Sequence, residues 1–146
     1  MYRVRGDELE FLLVHPGGPL WKAKDAGIWS IPKGEIHPGE DELEAAQREF
    51  EEELGFKSQG PFVELIPITQ KSGKIVHAWA FAGDCNLSQI RSNTFSMEWP
   101  PHSGCMGTFP EVDRAAFFSL EQAKARINPA QTALLEELLR KLGRST

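Results

Sequence analysis

Apolar residues alternate with their neighbours through residues 8–14, where Leu9, Phe11 and Leu13 are separated by Glu10 and Leu12. This run and residues 1–5 flank Gly6-Asp7, which predicts a two-stranded hairpin whose second strand is largely buried. The chain opens inside its first strand, so that strand is expected to be short or preceded by further residues. The alternation stops over residues 15–27, where Pro, Gly and Lys predict a loop. A short apolar strand is expected at 28–31, running into Pro32-Lys33-Gly34.

After Pro38-Gly39-Glu40 the period changes. At about 100° per residue, Leu43, Ala46, Phe50 and Leu54 fall on one stripe, and Gly55 ends the predicted helix. Residues 61–70 and 74–83 are β-rich and separated by Lys71-Ser72-Gly73, a predicted hairpin. In its second run Val76, Ala78 and Ala80 alternate with His77, Trp79 and Phe81, so His77 is expected to fill a packing role. Residues 84–110 read as a long irregular loop, functional or mobile, with a short strand at 95–99. A strand at 112–118 follows, then Ser119 as N-cap of a helix over 120–127. Asn128-Pro129 opens a last helix whose Leu134, Leu135, Leu138, Leu139 and Leu142 form a core-facing stripe.

The helix before Gly55 carries a second pattern. Glu49, Glu52 and Glu53 cluster on a face of their own, with like charges at i,i+3 and i,i+4, an arrangement that is unfavourable on an isolated helix. A solvated acidic face is the plain alternative. The chemical reading is that a cation sits there, and carboxylate oxygens without His or Cys suit a hard divalent ion, Mg²⁺ or Mn²⁺.

Composition narrows the partners. A chain of 146 residues, 40% apolar and 25% charged, is expected to fold as one domain over 1–146, with no internal repeat or linker. A formal net charge of −5 argues against broad nucleic-acid or anionic-membrane binding. No run approaches the ~18 apolar residues of a membrane span and no signal pattern opens the chain, so a cytoplasmic location is expected. Cys85 and Cys105 lack zinc-site spacing and read as reduced, incidental thiols.

Spacing gives the acidic face its meaning. Gly34, five residues, Glu40, seven residues, then Arg48-Glu49-Phe50, one residue, Glu52-Glu53, one residue and Gly55-Phe56 resembles the complete Nudix box, with Phe50 bulkier than the usual aliphatic. A chance match to these positions has a probability on the order of 10⁻⁹ per starting point at ordinary composition. The resemblance extends along most of the chain and implies the Nudix fold, an α/β/α sandwich with a mixed β-sheet between helices. It also implies hydrolysis of a nucleoside diphosphate linked to another group, X, with a divalent metal.

Carried over by motif position, Glu49, Glu52 and Glu53 would be metal ligands, with the Gly34 carbonyl as a further one. Arg48 and Glu40 would form an internal pair that orients them. Glu49 or Glu53 is a candidate to accept a proton from the attacking water. Many family members add a Glu from outside the box, and here Glu111 is preferred over Glu98 and Glu64, because Phe-Pro-Glu would deliver it at a strand start. Lys33 is placed to stabilise a phosphate oxygen. Trp21, Lys22 and Lys24 on the preceding loop are candidates to meet a base and a phosphate chain, against a merely solvated loop. Glu98, Trp99 and His102 are candidates for the site rim, against a role in tethering the long loop.

Substrate signals are weaker. Pro32-Lys33-Gly34-Glu35 followed by Pro38-Gly39-Glu40 resembles the Pro-Lys-Gly form of diadenosine and diphosphoinositol polyphosphate hydrolases. Ser92-Asn93-Thr94-Phe95 with Glu98-Trp99-Pro100-Pro101 resembles a bacterial group of NTP pyrophosphohydrolases. Three readings follow: a dinucleoside polyphosphate hydrolase, which is favoured; a housecleaning (d)NTP pyrophosphohydrolase releasing NMP and pyrophosphate; and a non-catalytic nucleotide-binding module. Oligomeric state is left open.

Overall fold

The computed structural model describes residues 1–34 and 36–144, so Glu35 of the Pro-Lys-Gly-Glu stretch lies outside the described residues. Strands β1 (Tyr2–Arg5) and β2 (Glu8–Pro16) form the expected hairpin, with Tyr2 opposite Phe11 and Arg5 opposite Glu8. Gly6 turns it at a φ of +64°, a conformation that favours glycine. Strand β7 (Val112–Phe118) pairs antiparallel along the other edge of β2, giving the order β1-β2-β7.

β2 is buried on both faces, and its alternation sorts two cores. Leu9, Phe11 and Leu13 join Trp29, Phe118 and the leucines of the last helix, whereas Leu12 and Val14 join Phe50, Leu54, Phe81 and Val112. The sheet therefore lies between helices. Helix α1 (Glu42–Leu54) covers one face, and α2 (Leu120–Arg126) and α3 (Thr132–Lys141) help close the other. The sheet is mixed, because Tyr2 bridges Ala82 in parallel with N–H to carbonyl distances of 3.0 and 2.9 Å to Phe81 and from Gly83.

Strands β3 (Val63–Thr69) and β4 (Ile75–Ala80) form the second predicted hairpin, turned at Gly73 with φ +87°. Its register slips between Leu65 and Ile68. Pro67 lies in the slip and has no N–H for the ladder. The Ile66 N–H turns instead to both carboxylate oxygens of buried Glu137 on α3, at 3.1 and 2.8 Å. His77 sits 3.3 Å from a Glu42 carboxylate oxygen beside α1.

Two stretches differ from expectation. Residues 84–110 are not one irregular loop: after a short 3₁₀ turn at Leu87–Gln89, β5 (Thr94–Glu98) pairs with β6 (Met106–Pro110), Phe95 opposite Phe109. Met-Gly-Thr-Phe-Pro hides β6, since Gly and Pro are poor strand residues and here fall within and at the end of one. Residues 28–31 form only single bridges, Ser30 to Val14 and Trp29 to Ile127. Near the C-terminus, Asn128 caps a 3₁₀ turn over Pro129–Gln131, so α3 starts later than Asn128-Pro129 implied.

Candidate active site

α1 begins where Asp41 accepts the Glu44 N–H and ends where Gly55, at φ +79°, donates to the Glu51 carbonyl. Ala45, Phe50 and Leu54 are buried, while Leu43 and Ala46 are half-buried, so the packed stripe is rotated slightly from the expected one. That rotation also buries Glu49.

Arg48 answers part of the charge on this face. Its Nε and Nη2 donate to the two oxygens of Glu40 at 2.8 and 3.1 Å, a bidentate pair that ties the loop before α1 to the helix. Its Nη1 donates to Glu49 at 2.6 Å and to Glu52, one turn on, at 2.9 Å. The guanidinium, helped by the His37 N–H at 3.0 Å, holds the Glu40 carboxyl down at about 2. The expected Arg48–Glu40 pair is thus formed, and Arg48 also bridges two of the three clustered carboxylates.

Glu53 is held differently. Its Oε2 accepts the Lys33 N–H at 3.0 Å, which joins the Pro-Lys-Gly turn to α1 across 20 residues. Burial pushes its carboxyl up to about 8, with Glu49 and Glu111 adding to the shift and Lys33 opposing it. Burial also raises Glu111, with Glu49 and Glu52 contributing. Gly34 lies against Glu49: a Cβ there would overlap the Glu49 carboxyl group. Only glycine leaves that space.

A cleft of about 360 Å³ opens beside this cluster, lined by Trp21, Lys33, Glu53, Glu111, Asn128 and Gln131 among others. Small-molecule sites commonly start near ~300 Å³. Glu111 lies between β6 and β7, as the Phe-Pro-Glu reading expected, with its N–H on the Asn93 carbonyl at 2.8 Å. Trp21 is 38% exposed, with Lys24 Nζ 5.1 Å from its ring centre. Lys22 is exposed and outside the lining. So is Glu98, whose Oε1 accepts the His102 N–H at 2.7 Å at the tip of the β5–β6 hairpin. Glu64 is exposed on β3, away from the lining.

The donor set fits a hard cation: carboxylate oxygens gathered at the end of a helix, one of them buried at a cost visible in its raised pKa. Among the described residues no three such groups already converge on one point. Arg48 and the Lys33 N–H each hold one oxygen of these carboxylates, Oε1 of Glu49, Oε2 of Glu52 and Oε2 of Glu53.

Three residues that sequence patterns did not single out pin this site. His15 is fully buried, with Nδ1 2.8 Å from Asp113 and Nε2 2.7 Å from the Lys24 carbonyl. Gln131, also fully buried, accepts the Ile31 N–H at 3.0 Å and donates to Ser30 at 3.1 Å, fixing the segment that carries Lys33. Trp29 is buried against His15 and Phe118, ring centres 5.1 and 5.0 Å away, and its indole donates to Asp25 at 2.7 Å.

The chain is similar to known proteins to differing extents. The chain is 32% identical to a rat asymmetrical bis(5'-nucleosyl)-tetraphosphatase over 83 residues, 53% of this chain and 52% of that protein. It is 54% identical to an RNA pyrophosphohydrolase of Erythrobacter litoralis over 33 residues, 23% of this chain and 20% of that one. It is 34% identical to one of Bradyrhizobium over 62 residues, 42% and 36% of the two chains. The matched parts are thus about half or less of these relatives. In structure it resembles a C. elegans Ap4A hydrolase in a binary complex, with a TM-score of 0.60 and 24% identity, covering 97% of this chain and 90% of that one, which shows the fold. The NUDIX domain model matches residues 1–138, from the first strand into the last helix, and on that match the chain belongs to the NUDIX domain family.

Proposed function

We propose that the protein hydrolyses a phosphoanhydride bond in a nucleoside polyphosphate, or in a nucleoside diphosphate linked to X, with Mg²⁺ or Mn²⁺, and that dinucleoside polyphosphates are favoured. The observation that carries this reading is one cleft bringing together Glu53 and Glu111, the cation Lys33 and the aromatic Trp21, next to Glu49. That is the chemistry an anionic nucleotide needs: acids for a metal, a fixed cation and a stacking surface. The partial match to an asymmetrical tetraphosphatase supports the substrate choice.

In this reading Glu49, Glu52 and Glu53 would hold the ion, with the Gly34 carbonyl as a further ligand, while Arg48 ties Glu49 and Glu52 to Glu40. The bound ion supplies charge neutralisation and lowers the pKa of water. Lys33 stabilises charge on a non-bridging phosphate oxygen. Glu111 takes the proton as the water oxygen bonds to phosphorus and the bridging P–O bond breaks, with the departing nucleotide leaving through its terminal phosphate oxygen as the anion. Trp21 stacks on a base. Lys22 and Glu98 meet a substrate only beyond the cleft rim.

The same reading takes residues 1–146 as one Nudix domain acting on a small-molecule nucleotide in the cytoplasm, without nucleic-acid or membrane partners. It is supported by the net charge of −5, and no helix among the described residues is long and apolar enough to cross a membrane.

A substrate panel with Mg²⁺ tests it: diadenosine polyphosphates, NTPs, oxidised dNTPs, ADP-ribose, NADH and a 5'-triphosphorylated RNA. The expected result is fastest turnover of a dinucleoside tetraphosphate to a mononucleotide and a nucleoside triphosphate. The residues 92–101 pattern favours a second reading, (d)NTP pyrophosphohydrolysis, which would give NMP and pyrophosphate instead. Nucleotide binding without metal-dependent turnover would point to a non-catalytic module.

A further inference from the structure

The last turn of an α-helix leaves carbonyls without partners inside the helix. Two of those on α1 belong to Leu54 and Glu52, and they accept N–H groups from a strap of chain running beside them, Arg91 at 3.1 Å and Asn93 at 2.7 Å. The strap fits closely, since a Cβ on Gly55 would stand 3.0 Å from the Arg91 carbonyl oxygen. Its other side faces the start of β7. The Asn93 carbonyl accepts the Glu111 N–H at 2.8 Å, and the Ser92 hydroxyl accepts the Val112 N–H at 3.0 Å while donating to that same Asn93 carbonyl at 2.6 Å. The Glu111 carbonyl in turn accepts the Gly17 N–H at 2.9 Å.

One backbone path therefore runs from Glu52, a box carboxylate, through Asn93 to Glu111. Among the described residues of the strap, the Ser92 side chain touches the two consecutive peptides that flank Glu111: it accepts the Val112 N–H and donates to the Asn93 carbonyl that receives the Glu111 N–H.

We propose that Ser92 is a positioning residue for Glu111, locking the carboxylate that lies outside the box to the register of the box helix. The proposal rests on the assignment of Glu111 as proton acceptor. Ser92 touches no reacting atom; it sets where the Glu111 side chain starts from. Small displacements of a catalytic group are costly, about 100-fold in rate for roughly 1 Å.

The test compares S92A, S92T, E111Q and the S92A/E111Q double variant with Mg²⁺ and the best substrate of the panel, together with thermal unfolding and amide exchange at Glu111 and Val112. S92A is expected to lose about 10- to 100-fold in kcat with KM unchanged, to exchange faster at Val112, and to remain folded. S92T keeps an oxygen at the same position and restores kcat. The double variant is no slower than E111Q alone, because the strap has no carboxylate left to place. If S92A does not fold, S92C, similar in size with a weak thiol in place of the hydroxyl, carries the same comparison. Wild-type kcat in S92A beside an impaired E111Q overturns the positioning role alone, as do multiplicative losses in the double variant. Wild-type kcat in E111Q overturns the Glu111 assignment and the positioning role with it.

Discussion

The Lys33 main-chain N–H and the Glu53 carboxylate meet at 3.0 Å, so the turn that brings a cation to the cleft is held by one of the acids proposed to carry the metal. The bond gives one partner to a carboxyl that burial and the neighbouring Glu49 and Glu111 push up to about 8.

Stability of the metal-free protein should follow that shift. The ordinary value is 4.5, so between pH 4.5 and about 8 the folded state binds more protons at Glu53 than the unfolded state. Stability from this group is therefore complete below 4.5 and falls as pH rises to 8. Thermal unfolding from pH 5 to 8 should show a steeper fall for the wild type than for E53Q. Added Mg²⁺ should narrow the difference by favouring the ionised carboxylate.

Arg48 should matter for its shape as well as its charge. R48A removes the fork on Glu40 and the bridge between Glu49 and Glu52, and residues that orient metal ligands are commonly worth about 10- to 100-fold in metal affinity or activity. R48K should recover little, since an ammonium cannot reproduce the bidentate pair. Steady-state kinetics against Mg²⁺ concentration measures both.

Replacing Gly34 by Ala should injure the site more than the fold. The added Cβ meets the end of the Glu49 side chain, which can shift, whereas backbone could not. Turnover should fall by about 10-fold or more while unfolding free energy changes by less than about 1 kcal/mol. Equal loss of both would place the clash in the backbone.

Trp21 should act on binding. Base stacking is worth about 1–3 kcal/mol, so W21A should raise KM by about 10-fold with kcat nearly unchanged. A loss confined to kcat would remove Trp21 from the base-binding role.

The reach of sequence reasoning differs from residue to residue. Arg48, Glu49, Glu52 and Glu53 were legible because one helix presents them and helical periodicity is local; Glu111 was legible because a proline and a strand start bracket it. His15 and Gln131 were not, since their partners Asp113 and Ile31 lie 98 and 100 residues away and no local spacing encodes such contacts. The short strand expected at 95–99 is β5, but its partner β6 was not legible because Gly107 and Pro110 weaken its pattern, and it is held by register with β5 rather than by its own propensity. Trp29 shows the converse: an aromatic beside the box is core because Asp25 satisfies its indole N–H.

The most direct measurement of the central claim is Mg²⁺-dependent hydrolysis of diadenosine tetraphosphate by the wild type and by E53Q, with products separated and the folded state of both checked by circular dichroism. The account predicts a mononucleotide and a nucleoside triphosphate from the wild type only when the metal is present, and a loss of nearly all turnover in folded E53Q. Turnover that survives in E53Q, or that proceeds equally without a divalent ion, would contradict it.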